Sequence, residues 1–424
     1  MKKVFLWGFT SRAELGIVEG LKKRGRCEVV FHSARSSKDA SEIGNINHCR
    51  LSPWTHIPYD KSVYDEVSRG FLTYFYCHNR QKQVFLWPEK YYDFIDFFNI
   101  YFQLFYRLLK ERKPDVVLFS NVPHLGADYV LYLTARAMGF KVRMFYQTIF
   151  PNKFIMLDSI ESLGDFSGMP ALNDETFEIK NAFEKELFYM KKRHSGVLAH
   201  LGKMSRLYMV LIDIYKWRYS VPYRRRLKKA AVKEADFSKK YVYFAMHLQP
   251  EMTTTPLAKG YDDQALAIEH LSDMLPPDWL VYVKENPYQD EFRRGRGFFD
   301  RMRALKNVRI VPPDTNTYTL MRNSQFVSTI TGTVGWESIS GGKSVLVFGP
   351  AWYRSLPGVF EYSHSLKAEN IAAFRIDHAE LQDRFNEMYR KLRDGITDFD
   401  YIRNYPDYDE GRNIELVCRT IEEC

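Results

Sequence analysis

The chain has 424 residues, 45% apolar and 27% charged, which excludes a disordered, collagen-like or disulfide-stapled protein and exceeds what one ordinary core can organise. Lys and Arg number 61 against 52 Asp and Glu, a surplus of +9 that favours an anionic partner without choosing among nucleic acid, anionic lipid and a negatively charged substrate. Aromatic residues reach 16%, with 28 Tyr and 31 Phe, enough for a large core or a sugar-binding cleft.

The elements alternate from the start. VFLWGF (Val4 to Phe9) reads as a buried strand, SRAELGIVEGLKKRG as a helix and CEVVFHSA as a second strand. After a long aromatic segment at 90–112, PDVVLFS is a strand, GADYVLYLTARAMG a helix and KVRMFYQ a strand. Strands separated by helices require crossover connections, hence parallel sheets covered on both faces. From 173 to 240 the pattern is helical and basic. Alternation resumes at YVYFAMH and continues through a helix at 262–274, LVYVKEN, a helix near 291–304, NVRIV, FVSTI and SVLVFG, before a helical end.

The expected architecture is therefore α/β and GT-B-like. It has a Rossmann-like domain at 1–172, a basic helical connector at 173–240, a second Rossmann-like domain at 241–380 and a helical segment at 381–424. Ligands of such sheets bind at the carboxyl ends of parallel strands. The five cysteines (Cys27, Cys49, Cys77, Cys418, Cys424) form no C-x-x-C pair, as expected in a reducing compartment. The first residues lack the apolar run of a signal peptide, and no stretch is long enough to span a bilayer, so a cytoplasmic location is expected.

Chemistry concentrates where strands end in polar residues. In STITGTVGWESISGGKSVLVFG a strand closes on Thr331, Gly332 and Thr333, a helix begins, and Glu337 follows within it. Free amides at such a helix start bind phosphate, Gly332 permits close approach, and Glu337 can accept from ribose hydroxyls. A plain capped helix with an acidic early turn would show the same residues. His247 and Gln249 follow one strand directly, and Lys284 and Asn286 follow another, so three strand ends converge on one crevice. GGKS at Gly341–Ser344 fails as a phosphate loop because Glu337 stands where its first glycine is needed.

With these residues in hand, FAMHLQPEMTTTPLAKGYDDQALAIEHL, VYVKENP and STITGTVGWESISGGKSVLVFG resemble the bacterial capsule and surface-polysaccharide proteins that include the β-Kdo transferases, GT-B enzymes using CMP-Kdo with retention. SNVPHLGADYVLYLTARAMGFKVRMFYQTIFPNKF extends the resemblance into the first domain. One departure is Asn286-Pro287, where many relatives carry His-Pro; asparagine can donate a hydrogen bond but cannot carry charge or transfer a proton.

The resemblance implies that Gln249, Lys284, Asn286, Thr331, Gly332, Thr333 and Glu337 surround CMP, with His247 beside them. It implies that the domain at 1–172 is the acceptor-side domain and the one at 241–380 the nucleotide-sugar-binding domain. It also implies that no metal cofactor is needed, because the donor is a monophosphate sugar, and that the product is CMP. Retention by two displacements needs a carboxylate nucleophile and an acid/base. Asp236 is taken as nucleophile, Glu161 as acid/base and Asp158 as reserve, with His124 and Gln147 on the acceptor side. The acceptor would be a lipid-linked glycan. The basic stretch 203–229 suits peripheral contact with an anionic inner membrane, and equally a solvated interdomain helix. Open alternatives are a sialyltransferase-like or UDP-sugar enzyme and a non-catalytic, membrane-associated assembly protein. No nucleic-acid motif is present.

Overall fold

The structure, a computed structural model, describes residues 1–34, 56–81, 91–183, 217, 220–289, 294–295 and 297–424. Two six-stranded sheets organise the chain. The first comprises β1 (Lys2–Trp7), β2 (Cys27–His32), β3 (Val116–Phe119), β4 (Lys141–Gln147), β5 (Lys153–Leu157) and β12 (Arg393–Asp394), in the order β12-β5-β4-β3-β1-β2. The second comprises β6 (Tyr241–Ala245), β7 (Leu280–Lys284), β8 (Val308–Ile310), β9 (Val327–Thr329), β10 (Val345–Val347) and β11 (Val359–Glu361), in the order β11-β10-β9-β6-β7-β8. The doubly wound, GT-B-like α/β class expected from alternation is the class observed.

Local chemistry sets the crossovers. The helix Arg12–Arg24 opens with a capping box between Ser11 and Glu14 and closes at Gly25 in the left-handed conformation. The long aromatic segment becomes the helix Tyr91–Arg112, which buries five Phe and two Tyr in the first core. The aromatic surplus is thus spent largely on packing.

Three features depart from the sequence reading, the first being that residues 173–183 and 231–240 of the expected helical connector carry no helix. β5 runs antiparallel to β4, because the turn between them is too short for a crossover. The end of the chain is not wholly helical: β12 pairs antiparallel with β5. The last helix, Glu410–Glu423, then packs Val417, Cys418 and Ile421 against Ile17, Val18 and Leu21 of the first domain. Buried Lys153 secures this return through ion pairs to Asp394 and to Glu175, the latter at 2.7 Å. Among the described residues no helix is long and apolar enough to cross a membrane. Cys27, Cys77, Cys418 and Cys424 are free thiols, and Cys49 lies outside the described residues.

The carboxyl-end loops of the two sheets meet across a seam. Phe150, just beyond β4, enters an aromatic cage from the second half of the chain, with ring centroids 5.3 Å from Trp352, 6.1 Å from Trp336 and 5.2 Å from Phe385. Gly164 approaches so closely that an added Cβ would collide with the Ala351 carbonyl. Apolar burial therefore makes the two sheets one packed body at this point.

Candidate active site

In the second sheet β6 lies between β9 and β7, so the chain leaves β6 in one direction and reaches β9 from the other. That topological switch opens a crevice beyond the carboxyl ends of β6 and β9. The structure brings His247, Thr331 and Gly332 together there. His247 Nε2 lies 2.7 Å from Thr329 Oγ1, and the Gly332 amide donates to the same hydroxyl at 3.3 Å. Burial, reinforced by the Arg294 charge, pushes the imidazole down to about 3, so His247 is neutral at physiological pH. A Cβ on Gly332 would stand 2.8 Å from both the His247 ring and Thr329 Oγ1, so only glycine fits.

Gly332 is the N-cap of the helix Thr333–Ser340, and no side chain caps that helix. Its first amides, beside exposed Thr333, are left for solvent or an anion. The Gly332 carbonyl instead accepts from the Tyr353 hydroxyl. Thr331, at 6% exposure, spends its hydroxyl on the Thr253 carbonyl at 2.7 Å, tying the β9 loop to the β6 loop.

Several expected ligand groups are taken up in building the crevice. Gln249 is buried: its amide oxygen accepts from Arg294 and Gln264, and its backbone exchanges two hydrogen bonds with Gln289. Arg294 forms a buried ion pair with Glu285, which also accepts from the Tyr223 hydroxyl at 2.9 Å. Lys284 donates to the Thr315 carbonyl at 2.6 Å and to Thr317 Oγ1 at 2.8 Å, fixing the loop beyond β8. Desolvation lowers its ammonium below the usual lysine range. Asn286 is half-exposed and closes its own turn by accepting from the Tyr288 amide. Glu337 is only 1% exposed, enclosed near Tyr243 and Tyr353. The expectation that Glu337 openly presents its carboxylate to a ribose is corrected: its turn of the helix faces the core.

The expected catalytic carboxylates do not converge. Asp236 lies over the sheet, where the Tyr282 hydroxyl bonds both its amide and its carbonyl, and its exposed carboxylate folds back on Ser238. It is not at the strand ends, because the chain must still travel to the amino end of β6. Asp158 leaves antiparallel β5 at the amino edge of the first sheet and pairs there with Arg143 at 2.7 Å. Glu161 is the one that reaches the seam. Its turn packs against Pro256–Ala258, its carbonyl accepts from Arg354, and its exposed carboxylate pairs with Arg136 at 3.2 Å.

On the first sheet the corresponding switch lies between β1 and β3. Gly8, at φ +89°, lets Ser120 approach it, and its amide donates to Ser33 Oγ. His124 is half-buried in the loop beyond β3, its amide donating to Asp128. Gln147 is corrected from an acceptor contact to a clamp, since its amide group bonds Lys153 and Thr397 and joins the chain's end to β4. Sequence reasoning missed Thr329, Gln264, Glu285 and Arg294. Thr329, Gln264 and Glu285 sit inside segments already singled out, whereas Arg294 signals itself only through its contacts with Gln249, His247 and Glu285.

Comparison with known proteins follows the same lines. In solved structures the chain is similar to the β-Kdo 2,7 transferase of Thermosulfurimonas dismutans KpsC, at 8% identity and a TM-score of 0.37, covering 99% of this chain and 100% of that one. It is similar to the β-Kdo 2,4 transferase of the same KpsC, at 12% identity and a TM-score of 0.32 over 66% and 82%. It is also similar to the UDP-GlcNAc 2-epimerase of Neisseria meningitidis, at 13% identity and a TM-score of 0.25 over the whole of both chains. These likenesses are faint, and the fold rests on the two sheets described above. No curated protein sequence matches significantly. The family model described as capsule polysaccharide biosynthesis protein matches residues 179–412, more than half of the chain and all of the second sheet. The chain belongs to the capsule polysaccharide biosynthesis protein family.

Proposed function

We propose that this protein is a glycosyltransferase that moves Kdo from CMP-Kdo to a lipid-linked surface polysaccharide with retention, releasing CMP. The observation that carries the reading is the crevice at the β6–β9 switch. There an uncapped helix start, with neutral His247 and close-fitting Gly332 beside it, offers backbone donors of the kind that bind phosphate. Membership in a capsule-biosynthesis family supplies the glycan context, and the surplus of +9 suits anionic donor and acceptor alike.

In this reading Thr333 and the first helix amides hold the phosphate. His247 and Thr329 hold the floor, and Asn286 borders the mouth. Lys284, Gln249 and Glu337 act by shaping the loops. Retention proceeds by two displacements. A carboxylate attacks the anomeric carbon as the bond to phosphate breaks. The acceptor oxygen then displaces that carboxylate while a base takes its proton. Glu161, at the seam, is assigned the acid/base role, and His124 lines the acceptor side.

The basic connector belongs to the same reading. Residues 203–216, 218 and 219 lie outside the described residues. The helix at 220–230 buries Tyr223 and Leu227 and exposes Arg224, Arg225, Lys228 and Lys229, a face suited to an anionic membrane surface.

Calorimetry with CMP and UDP tests the donor site; tighter UDP binding redirects the reading to a UDP-sugar. Incubation of CMP-Kdo with a synthetic glycan acceptor, read by mass spectrometry, tests the reaction. Absence of product with intact vesicle binding would leave an assembly protein.

A further inference from the structure

Where Phe150 enters, the seam between the sheets is apolar; elsewhere it carries a polar contact. The helix Phe71–Gln81 of the first domain meets the loop that precedes the helix Gln264–Met274 of the second. Asp262 stands in that loop at 3% exposure. Its carboxyl takes a hydrogen bond from Thr73, across the seam, while Oδ1 has no hydrogen-bond partner. Tyr76 and Tyr129 face it from the first domain. On its own side the neighbouring charges are committed elsewhere: Arg301 to Asp263 and Glu269, and Arg294 to Glu285. Among the described residues no cation pairs with Asp262.

A carboxylate enclosed without a counter-charge is unstable as an anion. Separation of the helix from the loop would return it to water, whereas the aromatic cage around Phe150 would hold the domains together. We propose that Asp262 is a proton-dependent latch between the two domains, closed against Thr73 when protonated and released when ionised. Burial supports this: it outweighs the opposing hydrogen bonds from the Asp262 backbone amide and from Thr73, which favour the anion, and pushes the carboxyl up to about 7, above the ordinary 3.8 it regains on opening. The sign follows: the closed form binds the proton more tightly, so closure is most favoured at low pH and weakens as pH rises toward 7. Across pH 6 to 8 the closed-to-open ratio falls about tenfold.

The latch goes beyond the transferase reading and is tested without nucleotide, so either can fail alone. Small-angle scattering of the full chain, fitted as a mixture of closed and open forms, is expected to show that shift. Asp262→Asn, permanently neutral, is expected to stay closed and to respond less than twofold. A flat wild-type profile, or the same slope in Asp262→Asn, overturns the latch. If the variant does not fold, carbon NMR of the wild-type Asp carboxyls decides: one titrating near 7 supports the proposal, and all titrating below 5 overturns it.

Discussion

His247 Nε2 lies 2.7 Å from Thr329 Oγ1, so the loop leaving β6 is tied to the end of β9 across the switch point of the second sheet. This bond needs a neutral imidazole only in the sense that burial forbids the charged one. The folded imidazole is pushed down to about 3 from its ordinary 6.5. Stability from the neutral ring is therefore present above pH 6.5 and is lost as pH falls from there toward 3. Thermal denaturation between pH 7 and 4.5 should show a steeper loss for the wild type than for His247→Gln. Parallel curves would show that the ring is not held neutral.

Gly332→Ala should weaken CMP binding about tenfold or more, the worth of one charge-assisted hydrogen bond, because the added methyl displaces the His247 ring or the helix start. Calorimetry reads the affinity and far-ultraviolet circular dichroism the fold. Unchanged affinity with an intact fold would place the phosphate elsewhere.

Arg294→Leu leaves Glu285 buried beside Tyr223 with no cation, a loss of about 3–5 kcal/mol in urea unfolding. Adding Glu285→Gln to that variant should recover part of the loss by removing the charge. No recovery would mean that shape, not charge, sets the cost.

Phe150→Ala empties the aromatic cage at the seam and should cost about 3–5 kcal/mol by the same measurement. A loss below about 1 kcal/mol, the range of exposed positions, would show that the domains do not depend on this plug.

Asp236→Asn and Glu161→Gln separate the carboxylate roles. The position of Asp236 over the sheet predicts transfer within about twofold of wild type, whereas Glu161→Gln should lower transfer at least about a hundredfold with CMP affinity retained, the scale of general acid–base catalysis. Loss of transfer in Asp236→Asn, together with a sugar adduct on the wild-type chain, would return the nucleophile to Asp236.

The sequence alone determined the periodic features: the strands VFLWGF, YVYFAMH and LVYVKEN, the crossover helices, and the placing of His247 and Gly332 at strand ends. Alternation between apolar runs and amphipathic helices is a local property, and parallel strands leave few ways to connect them. Only the tertiary structure decided which polar side chains are open. Glu337 follows a glycine-rich helix start yet faces the core, Gln147 ends a strand yet clamps the returning chain, and Asp262 is enclosed by a helix almost two hundred residues earlier. A side chain's protonation and reach depend on what packs over it from distant segments, and no local pattern encodes that.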